Sequence, residues 1–281
     1  MQQDAGVHKT CQSCGSHNPR WTPRYPKLSL FTCTDCDSFT YFSENTVNAD
    51  ELYSKEYFNG GEYRDYVGHR AIHEINFQKK WDILKRYLPQ PVRLFEQGCA
   101  YGLFVEFAKK SGAEKVFGAD ISRDAIDYAQ KNFGPHFEIA SDQTKPPFSY
   151  NCLVAWDVWE HLEKPFNFFS TYVEGLEKGG IVAVTTVDSS SMVARLRGER
   201  WRQIHPPTHL HYPTKQGIKK AMEALGLEVV YHSYIGYRRA LESYLAPFGL
   251  DSLVKKYDGI RNLPILLDLR DIQLIVARKT K

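Results

Sequence analysis

The chain has 281 residues, of which 42% are apolar and 25% charged, the balance of a soluble globular protein long enough to bury a real core. No apolar run approaches the ~18–20 residues that a bilayer span needs, and the greasiest stretch, NLPILLDL at 262–269, is far shorter. A net charge of +3 is too small to announce a nucleic-acid partner, and the polar opening MQQDAGVHKT is not built like a secretory signal, so a cytoplasmic location is expected.

Cys11, Cys14, Cys33 and Cys36 form a C-x2-C-x18-C-x2-C pattern near the start of the chain. Each C-x2-C makes a tight turn that aims two thiolates at one point, and two such turns close a tetrahedron around Zn²⁺. Gly15 suits the first turn. Four thiolates leave no open position, so the expected zinc is structural and supplies most of the folding energy of a small zinc ribbon over residues 1–48. The charges there cancel, with Lys9, Arg20, Arg24 and Lys27 set against Asp4, Asp35, Asp37 and Glu44. That speaks against a ribbon that tracks phosphates. Cys99 and Cys152 lie in apolar surroundings and read as inert core or turn residues.

Residues 49–91 read as a tyrosine-rich linker followed by a helix. Ile72, Ile75, Trp81, Leu84 and Leu88 recur at helical spacing until Pro89 and Pro91 end it. From residue 92 short apolar runs alternate with amphipathic segments. Strands are expected at RLFEQ, KVFGADI, FEIA, NCLVAWDV and IVAVTTVD. Helices are expected at LFVEFAKKSG, at SRDAIDYAQKNFG with Ser122 as its N-cap, and at KPFNFFSTYVEGLEKGG. After an insertion at 189–213 come the helix TKQGIKKAMEALG, the strand LEVVYHSYI, a helical stretch around 238–257 and the strand IQLIVARK. This alternation predicts an α/β domain over 92–281 with a mostly parallel sheet, whose ligand lies beyond the carboxyl ends of the strands.

The first strand runs into LFEQGCAYG, an acid followed by a turn of small residues. Small side chains let the backbone approach a ligand. Leu103 stands where G-x-G-x-x-G needs its last glycine, which weakens a dinucleotide reading, and no G-K-[ST] follows to make a triphosphate loop. Glu96 would repel a pyrophosphate and welcome a cation, and a cationic ligand with a nucleoside attached is S-adenosylmethionine (SAM). Asp120 ends the second strand, 22 residues beyond Gly98, where an acid accepts from a ribose diol. Asp142 follows the third strand, placed to accept from the adenine amino group, and Ile121 is placed to pack on the adenine face. Taken singly, Asp120 also reads as a turn residue and Asp142 as a solvated loop acid.

With EQGCAYG, GADIS, SDQTKPPF, DVWEHLEKP, KGGIVAVTTVD and IQLIVARK in this order, the chain from about residue 93 to 279 resembles the class I SAM-dependent methyltransferases. Ala100 replaces the middle glycine of that family's acidic-G-x-G-x-G turn. The resemblance implies a Rossmann-like seven-stranded sheet with the last strand antiparallel. It also implies that Glu96 and the turn Gly98, Cys99, Ala100, Tyr101 and Gly102 hold the methionine end. Asp120 and Ile121, Asp142 and Asp157 complete the implied cofactor set. The whole chain is similar to a zinc-ribbon-bearing subgroup of small-molecule methyltransferases, which implies a metabolite acceptor such as a sugar hydroxyl.

His161, in the EHL after the fourth strand, is the leading general-base candidate, with a loop-stabilising role as its alternative. His205, His209 and His211 lie in HPPTHLHY within the insertion, where an acceptor wall is expected. As a metal triad they lack a supporting carboxylate, so His205 and His209 are instead placed with His161 as catalytic candidates. Tyr63, Tyr66 and Trp201 are candidates to cover the cofactor or stack on an acceptor, or simply to pack. RLRGERWR at 195–202 reads equally as a dock for an anionic acceptor and as a solvated loop. The rival functions are an RNA methyltransferase gripping RNA with its ribbon, and a non-catalytic SAM-binding scaffold. A nicotinamide dehydrogenase comes last.

Overall fold

A seven-stranded sheet organises the chain. The computed structural model describes residues 9–42, 66–141, 144–246, 249–254 and 256–280. Three short strands, β1 (Trp21–Tyr25), β2 (Leu30–Cys33) and β3 (Phe39–Tyr41), precede the helix α1 (Arg70–Leu84). The alternating series then follows: β4 (Arg93–Gln97), α2 (Leu103–Lys110), β5 (Lys115–Asp120), α3 (Arg123–Phe133) and β6 (Phe137–Ile139). It continues with β7 (Tyr150–Trp156), α4 (Pro165–Gly175), β8 (Leu176–Val187) and α5 (Met192–Arg197). The last part holds β9 (His211–Tyr212), α6 (Lys215–Ala224), β10 (Leu227–Tyr234), β11 (Tyr237–Ala240), α7 (Leu241–Leu245), β12 (Pro264–Leu267) and β13 (Ile272–Lys279).

The main sheet has the order β10-β13-β8-β7-β4-β5-β6, and β13 runs antiparallel to both of its neighbours. The expected α/β sheet with its last strand reversed is present. Strands β7 and β8 are apolar on both faces because each face is covered: residues 152–155 and 181–184 are all buried. The sheet builds outward from β4, with β5 and β6 on one side and β7 and β8 on the other, which makes the gap between β4 and β7 the switch point. Local signals fix the ends of helices. The Ser122 hydroxyl accepts from the Ala125 N–H at the start of α3, and the Thr214 hydroxyl accepts from the Gly217 N–H at 2.9 Å at the start of α6.

Two expectations need correction. The helix expected to continue through GLEKGG stops at Gly175, and β8 begins at Leu176. The two glycines explain this: Gly179 is left-handed at φ +79°, and a Cβ on Gly180 would lie 2.8 Å from the Glu177 carbonyl oxygen. The segment therefore joins the sheet beside β7, Leu176 opposite Tyr150, with a register irregularity between Tyr150 and Cys152. The helical stretch expected around 238–257 is interrupted rather than continuous: 238–240 belong to β11, which pairs antiparallel with β12 as a two-stranded ribbon, and the helical part is reduced to the five-residue α7 and a 3-10 turn at Asp251–Leu253.

The N-terminal strands do not form an isolated module. β9, from the insertion, adds to them in a four-stranded sheet of order β1-β2-β3-β9, with Phe39 opposite Tyr212 and Thr40 opposite His211. Leu30 and Phe39 of the ribbon share one apolar cluster with Trp201 and Tyr212 of the insertion and Val187, Ile235 and Leu274 of the main sheet. Among the described residues no helix is long and apolar enough to cross a membrane.

Candidate active site and metal centre

The turn after β4 is held by its own backbone and by one carboxylate. The N–H groups of Gly98 and Cys99 both donate to the Ala119 carbonyl of β5, at 2.8 and 3.0 Å. Gly98, Ala100 and Gly102 all have left-handed φ, +70°, +46° and +74°. For alanine that conformation costs roughly 1–2 kcal/mol. Asp120 offsets it: one carboxylate oxygen accepts from the Ala100 N–H at 2.8 Å and the other from the Ser122 N–H at 2.9 Å. The acid at the end of β5 thus pins the turn in which alanine replaces glycine. Burial raises its pKa, and the backbone donors act against that rise.

Glu96 is only 2% exposed, and one of its carboxylate oxygens has no hydrogen-bond partner among the described residues. Burial pushes its pKa well up, Lys80 acts to lower it, and Asp120 raises it further. A buried carboxylate oxygen without a donor is costly, and a donor or cation arriving there removes the cost. Tyr101 is buried, its ring 5.2 Å from Tyr128 and 5.8 Å from Tyr66. Cys99 is also buried, and desolvation drives its thiol pKa well up. Ile121 beside Asp120 is 42% exposed, an apolar side chain open at the mouth of the turn. Asp142 and Tyr63 lie outside the described residues.

Across the switch point β7 delivers Asp157, itself left-handed at φ +56°, whose N–H donates to Thr185 and whose carboxylate accepts from the Tyr237 hydroxyl at 2.8 Å. Asp157 lines a cavity with Glu160, His161, Gln203, His209 and Asp271. Arg202 and Arg239 bring positive charge to the same wall. Arg202 chelates the buried Asp271 carboxylate at 3.2 and 3.3 Å, and the Trp201 indole N–H donates to that carboxylate too. Of the four arginines in RLRGERWR only Arg202 lines the cavity, while Arg195, Arg197 and Arg200 are exposed. Trp201 is a packed core residue rather than a cover.

The structure brings His161, His205 and His209 together, with ring centroids 4.6 Å apart for His161 and His209 and 3.8 Å for His205 and His209. Only His161 and His209 line the cavity. His205 donates from Nδ1 to the Thr208 hydroxyl and stiffens the loop. His211 faces Thr40 and the Glu163 carbonyl, holding the ribbon to the wall. Burial drives the His161 imidazole down to about 4 and His209 well below its ordinary range, so both are neutral. A general base works best with a pKa near the operating pH, so His161 is placed better as an acceptor or ligand than as a proton sink. Burial also pushes Glu160 up to about 8, with Asp157 adding to the shift.

Lys80 was not among the residues expected at the site. It is fully buried, its ammonium 4.4 Å from the Trp156 ring centroid and 5.0 Å from that of Tyr237. Burial lowers it to about 8, while Asp157 and Glu96 pull the other way. The signal was in the spacing: Phe77, Lys80, Trp81 and Leu84 share one helix face, so the apolar pattern itself carried the lysine inward.

A family model for methyltransferase domains matches residues 63–232, more than half of the chain. The chain belongs to the methyltransferase domain family. A SAM-dependent methyltransferase from Archaeoglobus fulgidus is similar in structure, with a TM-score of 0.55 at 17% identity over 80% of this chain and 100% of that one. The magnesium protoporphyrin IX methyltransferase of Synechocystis, solved with bound SAH, gives 0.52 at 15% identity over 82% and 100%. At such identities the likeness is one of fold. No curated protein sequence matches the chain.

The four N-terminal cysteines of this methyltransferase converge. Their sulfurs lie within 4.8 Å of one another, with 3.9 Å between Cys11 and Cys36, and none forms a disulfide. A tetrahedron with ~2.3 Å Zn–S arms has edges of about 3.8 Å, so the donor set fits Zn²⁺. Contact with Cys14 and its neighbours pushes the Cys11 thiol up, while contact with Cys11 and the others pulls Cys36 down. Gly15 closes the first turn at φ +75°, and a Cβ there would run into the Phe166 ring at the start of α4. The ribbon is bonded to the methyltransferase domain on that side as well, through Gln12 to Phe166 and Asn167, and through Thr214 to Ser38 and the Cys36 carbonyl.

Proposed function

We propose that this protein is a SAM-dependent methyltransferase acting on an oxygen of a small polar acceptor held in the cavity between Asp157 and His209. The observation that carries the reading is the pair of buried carboxylates at the ends of β4 and β5. Asp120 fixes the small-residue turn, and Glu96 keeps an unpartnered oxygen under it. A sulfonium nucleoside with an ammonium group suits such a cradle, whereas a pyrophosphate does not.

When bound, SAM supplies an electrophilic methyl group: the acceptor oxygen bonds that carbon as the carbon–sulfur bond breaks, leaving a neutral thioether. The chain's own residues do the rest. Asp120 and Ile121 orient the nucleoside end, and Glu96 faces its charge. Asp157, on the cavity wall, takes the hydroxyl proton. Its carboxylate is aligned by Tyr237. His161 and His209 position the acceptor, and Arg202 and Arg239 suit an anionic group on it. Orientation of this kind contributes ~7–11 kcal/mol. The cysteines hold a structural zinc, and the ribbon, spent on bracing β9, serves the acceptor wall rather than gripping RNA.

The test is calorimetry with SAM, followed by turnover of labelled SAM against pooled hydroxylated metabolites. Stoichiometric binding that is lost in Asp120→Ala, with Asp157→Asn losing turnover but keeping affinity, supports the reading. Failure of the folded wild-type chain to bind SAM refutes it.

A further inference from the structure

A second group of metal-ligating side chains stands apart from the cysteines. One ligand atom each from Glu160, His161 and His209 lies within 4.8 Å of the other two. They come from two segments that are bonded to one another. The Leu210 N–H donates to the Glu160 carbonyl at 2.7 Å, and the His161 Nδ1–H donates to the Thr208 carbonyl at 2.8 Å. The His209 Nδ1–H donates in turn to the Gln203 carbonyl at 2.9 Å. A carbonyl only accepts, so both imidazoles carry their proton on Nδ1 and their lone pair on Nε2. Glu160 is oriented as well, one carboxylate oxygen accepting from the Thr186 hydroxyl at 2.8 Å.

These are the outer-shell features of a metal site: histidines fixed in one tautomer by backbone carbonyls, and a carboxylate held by a hydroxyl. Two imidazole lone pairs and a carboxyl group converge there, and a cation that takes the place of the Glu160 proton meets three donor atoms. What they call for is a positive centre. Two nitrogens and one oxygen suit a first-row transition ion rather than Mg²⁺ or Ca²⁺, which prefer oxygen alone. The three donors lie on one side of an open cavity, so coordination positions toward the cavity remain for a ligand.

We propose that Glu160, His161 and His209 bind a divalent transition-metal ion at the floor of the acceptor cavity, and that this ion receives the oxygens of a chelating acceptor such as a vicinal diol. The acceptor class rests on the methyl-transfer reading above, whereas the cation site itself does not. The H-x3-H-x-H spacing suggested a different triad. The structure breaks it up, because His211 is spent on the ribbon and His205 on its own loop, and it supplies the missing carboxylate from the turn after β7.

The experiment uses the full chain with its ribbon zinc in place. Mn²⁺ is added and followed by electron paramagnetic resonance, because Mn²⁺ competes poorly for four thiolates. One Mn²⁺ per chain is expected, with spin-echo modulation from imidazole nitrogen. His209→Ala and His161→Ala should each weaken binding by more than the ~10–100-fold typical of outer-shell changes. His232→Asn, altering a histidine bonded to Gln273 elsewhere, should leave binding unchanged. No bound Mn²⁺, bound Mn²⁺ without nitrogen modulation, or wild-type affinity retained in both histidine variants overturns the proposal; the modulation needs no variant, so misfolding of a mutant does not rescue it. SAM calorimetry on the same samples separates the two readings. SAM binding without Mn²⁺ binding leaves the methyltransferase reading standing, and the converse leaves only the cation site.

Discussion

Lys80 offers the sharpest test of how the site is wired. Its ammonium is fully buried, and burial brings it from 10.5 to about 8, against the pull of Asp157 and Glu96. A base whose folded pKa is lowered costs stability wherever the folded chain must hold the proton. Between about 8 and 10.5 the unfolded chain keeps a proton that the folded chain has released, so unfolding free energy rises with pH across that window. The whole rise amounts to about 3 kcal/mol. Urea unfolding of the zinc-loaded protein, at several values from pH 7.5 to 10.5, should show it as a difference between wild type and Lys80→Met. Taking the difference cancels the titration of cysteines and tyrosines common to both. A wild-type profile parallel to that of Lys80→Met would refute the placement of Lys80 in a dry pocket shared with the two acids. A difference of opposite sign would mean that the carboxylates, not burial, control it.

The same lysine bears on the cofactor: while charged it opposes a sulfonium but not a thioether, so the ratio of SAM to S-adenosylhomocysteine affinity should increase as pH rises through about 8, and calorimetry should find it flat in Lys80→Met. Asp120→Asn keeps an acceptor for one of the two N–H groups and turns an amide toward the other; losing one charge-assisted bond should cost ~1.5–3 kcal/mol in urea melts, and SAM affinity should fall about tenfold or more. Gly98→Ala would set its Cβ 2.4 Å from Val158, so the double variant with Val158→Ala should recover part of the lost stability, leaving the ~1–2 kcal/mol of a left-handed alanine. Cys11→Ser, which removes a ribbon thiolate and leaves the cavity histidines in place, should abolish turnover while SAM binding persists, since the ribbon's contacts reach the acceptor wall and not the β4 turn; simultaneous loss of both in that variant would contradict the division.

The middle of the sheet was readable because its strands carry apolar runs, with β4 running into Gly98 and β5 into the capping Ser122, and burial of β7 and β8 on both faces leaves little room for another pattern. The cofactor turn was readable because local chemistry made it: small residues after an acid, then a second acid one βα unit later. The acceptor side was not readable in the same way. Glu160 and His209 are 49 positions apart and meet through the backbone bond of Leu210, which no local spacing announces. β11 failed for a related reason. YRRA has no strand alternation of its own and is a strand because PILL, far along the chain, supplies its ladder. Lys80 is not singled out by the sequence pattern, although Trp81 and Leu84 beside it recur at helical spacing and share its buried face.

The ribbon changes meaning once its contacts are followed. A four-cysteine module at the end of a chain usually suggests a separable binding unit, yet here β3 pairs with β9 only two residues beyond His209. Thr40 holds His211, Ser38 accepts from the Thr214 N–H, and the Tyr41 N–H donates to the Leu210 carbonyl at 2.8 Å, all on the segment proposed as the acceptor wall. An insertion of this length has little core of its own, with Trp201 and Tyr212 as its main anchors. An ion held by the four cysteines would make that wall rigid at small cost in chain length, because thiolate ligation contributes folding energy that a short loop cannot. The same bracing fixes where His209 stands relative to His161. A misplacement of about 1 Å can be costly at a reacting site, so on the reading proposed above the sequence feature that looked most independent of catalysis is the one that sets the geometry of the acceptor.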